Sequence, residues 1–139
     1  MEKYKIGYTT GVFDLFHIGH LNILKNAKEK CDYLIVGVST DDVVESYKGK
    51  KPIIPFEERI EIVKAIRYVD EAVPQSSMDK MEAWERLHFD ALFHGSDWKG
   101  SGMYLDIEQK LNSVGVDLVF LPHTEGTSST LLTEKLQNA

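Results

Sequence analysis

The sequence predicts an α/β domain built on a five-stranded parallel sheet with helices on both faces. Three observations predict it. Short apolar runs alternate with segments whose apolar residues recur at helical spacing. Gly and Pro fall between these segments and punctuate them. The clearest run, Tyr33 to Val38, is continuously apolar and not alternating, the pattern of a strand buried on both faces. A chain of 139 residues holds one such domain with a sizeable core and leaves little room for a second, so residues 1–139 are read as one unit.

Taken in order, Lys5 to Thr10 reads as a strand closed by Gly11. Ile18 to Lys30 reads as a helix, with Leu21, Leu24 and Ala27 on one side. Asp32 to Ser39 is the second strand, and Thr40 and Asp41 can cap a short helix to about Tyr47. Gly49, Pro52 and Pro55 make Lys48 to Pro55 a loop. Phe56 to Tyr68 reads as a helix facing the core through Ile60, Val63 and Ile66, or through Ile62 and Ile66. Glu71 to Val73 gives a strand before Pro74, and Ser77 starts a helix to about Leu87. Ala91 to His94 is the fourth strand, Tyr104 to Val114 a helix stopped by Gly115, and Val116 to Leu121 the fifth strand before Pro122. A last helix spans Thr127 to Gln137. Right-handed βαβ crossovers make this a Rossmann-like sheet, in which ligands sit beyond the carboxyl ends of the strands, near the switch in strand order. Trp84, Met78, Met81 and Phe89 read as core or interface, and His88 and His94 show no partner pattern.

Bulk properties exclude several classes. The net charge of −6 disfavours generic binding to nucleic acid or to an anionic membrane. Cys31 is the only cysteine, which excludes an internal disulfide and suits a reducing cytoplasm. The N-terminus has no signal-peptide pattern, and no apolar run is long enough to span a bilayer.

Three polar segments fall at strand carboxyl ends: Thr10 to His20, Gly95 to Trp98, and His123 to Thr130. A fourth, Lys48 to Lys51, lies in the loop after the second strand. In the first, His17 and His20 stand three apart at a helix start with Gly19 between them. That spacing can turn both imidazoles to one point, faced also by free backbone N–H groups and the positive dipole end. Gly19 leaves the backbone bare for close approach of a phosphate. Phosphoryl transfer needs such a charge-stabilising cradle and little covalent chemistry. Two other readings stay open: ordinary packed and exposed histidines, or a chelating pair, for which no third ligand stands nearby. Thr127, Ser128, Ser129 and Thr130 form a second anion site or a simple N-cap. Lys48, Lys50 and Lys51 form a basic loop or a solvated charge run. Arg59 and Arg67, two turns apart on one expected helix, line one side of it or bridge to Glu57, Glu58 and Glu61.

Three of these segments carry a family resemblance. Gly11-Val-Phe-Asp-Leu-Phe-His-Ile-Gly-His20 resembles the H-x-G-H signature of the cytidylyltransferase branch of the nucleotidyltransferase superfamily. Arg67-Tyr-Val-Asp70 resembles its second signature, and Thr124-Glu-Gly-Thr-Ser-Ser129 its third, usually R-T-E-G-I-S. The three occur in the family's order and spacing across nearly the whole chain. The short length resembles the branch members that use glycerol 3-phosphate. The Gly11-Val-Phe-Asp wording also occurs in those acting on choline phosphate and ethanolamine phosphate.

The resemblance implies transfer of CMP from CTP to a small phosphorylated alcohol by in-line attack, with pyrophosphate leaving and Mg²⁺ accompanying CTP. It implies that His17, His20, Lys48 and Lys50 are catalytic, the histidines and Lys48 neutralising the developing charge. Thr10, Gly11, Val12, Phe13 and Gly19 would bind nucleotide, together with Asp97, Thr124, Thr127, Ser128, Ser129 and Thr130. Arg67, Arg59, Trp98 and His123 would serve the acceptor or its phosphate, with Arg59 supporting the site. Asp70 would order the site or a dimer contact, and a homodimer is implied. No protein metal site is expected. Two residues depart from the pattern: Val12 stands where the glycerol-phosphate members usually have Thr, and His123 where the family usually has Arg. Two rivals share the framework. One is an adenylyltransferase; the other is a nucleotide-binding module without catalysis.

Overall fold

The computed structural model describes residues 3–95 and 102–121. Asp97, Trp98, His123, Thr124, Thr127, Ser128, Ser129, Thr130 and the expected last helix lie outside the described residues. The elements run β1 (Tyr4–Gly11), α1 (Ile18–Glu29), β2 (Cys31–Ser39), α2 (Asp41–Lys48), α3 (Phe56–Lys64), β3 (Glu71–Gln75), α4 (Lys80–Leu87), β4 (Ala91–Gly95), α5 (Gly102–Asn112) and β5 (Asp117–Leu121). The five strands form one sheet in the order β3-β2-β1-β4-β5, every pair parallel. The expected Rossmann-like α/β sheet is therefore present, with its topological switch between β1 and β4.

Strand residues alternate between two cores, one on each face. Leu34, Val36, Val38 and Phe93 pack with Leu24 and Ala27 of α1 and Ile60 and Val63 of α3. Tyr8, Ile35 and Leu92 pack with Ala83 of α4 and Leu111 of α5, and here Phe89 is buried while Met81 and Trp84 pack at the margin. Each fully buried large apolar side chain contributes roughly 1.5–3 kcal/mol. Met78 lies outside both cores and is exposed.

Two of the boundary differences from the sequence reading have a clear physical reason. The helix expected to reach Tyr68 stops at Lys64. The Ala65 N–H bonds back onto the last turn, and Ile66 and Val69 then donate to Val63 O and Ile66 O, tighter i→i−3 bonds. That winding turns Ile66 and Val69 onto the core. Arg67 therefore leaves the helix that carries Arg59. The strand expected to end before Pro74 continues through it to Gln75, pairing Val38 with Pro74. An edge strand tolerates the missing N–H.

Because α3 runs antiparallel to the strands, it carries the chain from the carboxyl edge of the sheet back to the amino edge. Asp70 marks the amino edge, accepting from Leu34 N at 2.8 Å and pairing with Lys28 Nζ at 2.6 Å.

Candidate active site

β1 ends at Gly11 on the carboxyl edge, beside the switch. The chain then turns sharply, with Phe13 and Leu15 in the left-handed region at φ 55° and 49°. Such conformations cost non-glycine residues on the order of 1–3 kcal/mol each and persist where packing enforces them. Phe13 is buried in the core and its ring meets His20 edge-on at 5.5 Å.

The turn delivers His17 as the N-cap of α1. Its Nδ1 accepts from Gly19 N at 3.0 Å, and His20 Nδ1 accepts from His17 N at 3.2 Å. This is a reciprocal capping box made of two imidazoles where Ser/Thr and Glu/Gln usually stand. Its chemical consequence is a tautomer. Each Nδ1 is occupied as an acceptor, so each neutral ring carries its proton on Nε2. The rings stack with centroids 4.0 Å apart, a separation at which two imidazolium ions repel. Burial, with His17 beside it, pushes the His20 pKa down to about 4, and burial also lowers that of His17. The pair thus offers two neutral N–H donors at the positive end of α1. His17 Nε2 is buried and has no hydrogen-bond partner among the described residues.

The same burial couples to folding. An unfolded histidine protonates near 6.5, while His20 and His94 are held down to about 4. Between those values the unfolded chain binds more protons, so stability is complete above about pH 6.5 and falls as pH drops toward 4. Urea midpoints across that range are expected to decline, and His20→Asn is expected to flatten the decline. A pH-independent midpoint in the parent protein would contradict the buried neutral ring.

Arg59 underlies the turn. It is 1% exposed. Its Nε donates to Ile54 O at 2.8 Å, Nη1 to Val12 O at 2.6 Å and Ser39 O at 2.8 Å, and Nη2 to Asp41 Oδ1 at 2.7 Å. The guanidinium is directed inward and joins the ends of β1 and β2 to the start of α3. Its support of the site is therefore indirect, in place of the expected contact with an acceptor phosphate.

A second cation was not read from the sequence. Lys80 opens α4 on the carboxyl edge, is 7% exposed, and donates from Nζ to Thr10 Oγ1 at 3.0 Å. No carboxylate among the described residues pairs with it. Burial brings its pKa down to about 8, and its charge helps hold His94 neutral. The Tyr8 hydroxyl donates to Gln75, whose Nε2 donates to Ser77 O, fixing the entry into α4. One signal stood in the sequence: a lysine in the first turn of a helix opposes the dipole and needs another reason to be there.

The remaining expected residues divide. Gly11, Val12, Phe13 and Gly19 lie in or beside the histidine turn, and Thr10 meets Lys80. Lys48 ends α2 and is exposed, with Lys50 and Lys51 exposed just beyond Gly49. Arg67 is not brought to the histidines: it stands exposed near the amino edge, its Nη2 donating to Tyr68 Oη at 2.9 Å. Its place near the amino edge follows from the early end of α3.

A parallel sheet with this switch, and a helix start bearing paired imidazole donors beside it, is an arrangement able to bind a phosphate group. Residues 8–135 match the cytidylyltransferase-like family, and the chain belongs to it. It is a nucleotidyltransferase. Over 135 residues it is 36% identical to glycerol-3-phosphate cytidylyltransferase of Bacillus subtilis, covering 92% of this chain and 94% of that protein. It is 41% identical to FAD synthase of Pyrococcus horikoshii over 116 residues, 81% of this chain and 77% of that protein. Among solved structures it resembles a lipopolysaccharide core biosynthesis protein from Thermoplasma volcanium, with TM-score 0.74 and 27% identity over 89% of this chain and 99% of that one. Among the described residues no helix is long and apolar enough to cross a membrane.

Proposed function

We propose that the chain transfers CMP from CTP to a small phosphorylated alcohol, with glycerol 3-phosphate the favoured acceptor. The observation that carries the reading is the pair of Nε2–H donors at the start of α1. In the reaction a phosphate oxygen of the acceptor attacks the α-phosphorus of CTP. The new P–O bond forms as the bond to the bridging oxygen breaks, and that oxygen leaves on pyrophosphate. The attacking oxygen is already anionic, so no general base is needed. His17 and His20 donate to the oxygens on which charge grows, and preorganised neutral donors do this without reorganisation. Lys48 and Lys50 follow charge onto the pyrophosphate as mobile point charges. The bare backbone of Gly11 and Gly19 admits the nucleotide. Asp97 and the Thr124 to Thr130 segment serve the base and the outer phosphates, and Trp98 and His123 the acceptor.

Lys80 adds to this set. A buried amine with no carboxylate partner among the described residues suits an anionic group of the acceptor, held beside Thr10. Lys80→Met is expected to raise the KM for the acceptor at least about tenfold with little change for CTP. An unchanged acceptor KM would remove Lys80 from the site.

Mg²⁺ is proposed as the counter-ion of the triphosphate. Among the described residues no group of three His, Cys, Asp or Glu side chains could hold a metal. A homodimer through the Arg67 to Asp70 region and a cytoplasmic location are part of the same proposal.

The FAD synthase relatives favour a second reading, adenylyl transfer onto a flavin mononucleotide. Pyrophosphate release decides, measured with CTP or ATP against glycerol 3-phosphate, choline phosphate and flavin mononucleotide. The proposal expects turnover with CTP and an alcohol phosphate. Turnover only with ATP and the flavin would replace it by the second reading. CTP binding without turnover for any acceptor would leave a non-catalytic module.

A further inference from the structure

The lysine-bearing loop after α2 is tied to the histidine turn by contacts that the chemistry above does not use. The segment from Gly49 to Pro55 begins at a left-handed cap, Gly49 at φ 76°, whose N–H bonds Glu45 O at 2.9 Å. It returns to the turn at Ile53 and Ile54. There the Asp14 carboxylate accepts from both amides, Ile53 N at 2.8 Å on Oδ2 and Ile54 N at 2.9 Å on Oδ1. Successive backbone N–H groups form a concavity suited to an anion. Asp14 fills it from within the chain, three residues before His17. Arg59 grips the same spot from beneath, through its bond to Ile54 O.

We propose that Asp14 is a positioning residue: its carboxylate clamps the returning end of the lysine loop onto the histidine turn and thereby fixes where Lys48 and Lys50 stand relative to His17 and His20. The arrangement follows from bond types. Charge-assisted bonds from a carboxylate to two amides are stronger than neutral ones. Pro52 and Pro55 limit the freedom of the few residues around the contact. The two lysines are exposed and carry no salt bridge among the described residues, so their placement depends on the backbone that bears them. Without the clamp the loop keeps its charges but loses their register with the donors. The catalytic half of this inference rests on the nucleotidyl-transfer reading above. The mechanical half does not.

Limited trypsinolysis tests the mechanical half without any substrate, because the loop lysines are themselves the cleavage sites. Asp14→Ala is expected to be cut after Lys48 or Lys50 about tenfold faster than the parent, or more, with an unchanged circular dichroism spectrum. Asp14→Asn, which keeps one acceptor oxygen, is expected to fall between them and serves if the alanine variant does not fold. Equal cleavage rates in parent and folded variants would overturn the clamp. The catalytic half is read by a double-mutant cycle in kcat/KM for pyrophosphate release from CTP and glycerol 3-phosphate. Asp14→Ala is expected to cost about tenfold in the parent and close to nothing in a Lys48→Ala/Lys50→Ala background. The same cost in both backgrounds would overturn the positioning role. Slow cleavage in the parent and fast cleavage in the variant, with no turnover from either, would instead refute the choice of substrates while the clamp stands.

Discussion

His20→Ala is expected to lower turnover by about a hundredfold or more, the scale on which removal of one preorganised donor acts. The ring is expected to matter as a neutral donor. Its Nδ1 accepts from His17 N, its proton rests on Nε2, and its pKa of about 4 keeps it uncharged at neutral pH. Turnover should therefore not rise on acidification from pH 7 toward 6, as it would if an imidazolium were the active form. His17 carries two roles that can be separated. Its Nδ1 caps α1 through Gly19 N, and its Nε2 is buried with no partner among the described residues. His17→Asn keeps a capping oxygen and loses the donor, so it is expected to unfold near the parent midpoint yet lose turnover to a similar degree. His17→Ala loses both, with about 1 kcal/mol of additional destabilisation. Steady-state pyrophosphate release and urea titration of the three variants separate the roles. Near-parental turnover in His20→Ala and His17→Asn would remove the pair from the chemistry.

Arg59→Ala is expected to be the most destabilising change at the site, by roughly 3–5 kcal/mol. The guanidinium serves Ile54 O, Val12 O, Ser39 O and Asp41 Oδ1 at once. Removing it takes this donor from three carbonyls and from Asp41 Oδ1. Arg59→Lys is expected to recover only part of the loss, because one ammonium cannot reproduce a planar fork with donors on three nitrogens. The urea midpoint should fall with little change in slope. A shift below about 1 kcal/mol, the range of an exposed ion pair, would contradict the buried hub.

These two sites differ in how much of them the sequence exposed. The histidine pair was legible because its spacing, its glycine and its place between a strand and a helix are local features. The tautomer was not, since it depends on which ring nitrogen meets which amide. How Arg59 supports the site was not legible, for a physical reason. Glu57, Glu58 and Glu61 surround it in sequence and suggest a solvated face, yet all three are exposed and it points inward beside Ile60 and Val63. Arg67 was placed on the same helix because its apolar neighbours keep helical spacing. The tightened winding after Lys64 serves the same core residues with a different backbone. Lys80 and Asp14 carry no motif at all. Lys80 acquires meaning from β1 and α4 meeting at the carboxyl edge, and Asp14 from a loop that returns to it across about forty residues of chain, a distance no local pattern spans. The strands and their order of appearance were legible from apolar runs. The strand through Pro74 was not, because its tolerance depends on an edge position that only topology supplies.

The central claim is that two neutral imidazoles, each protonated on Nε2, meet the phosphates of a nucleoside triphosphate. Nitrogen-15 NMR of the His17 and His20 rings at pH 7, recorded while CTP is added, tests it most directly. Both rings are expected to show the neutral Nε2–H form before addition, and both Nε2 resonances are expected to move as CTP binds. Rings that are charged, protonated on Nδ1, or unmoved by saturating CTP would contradict it.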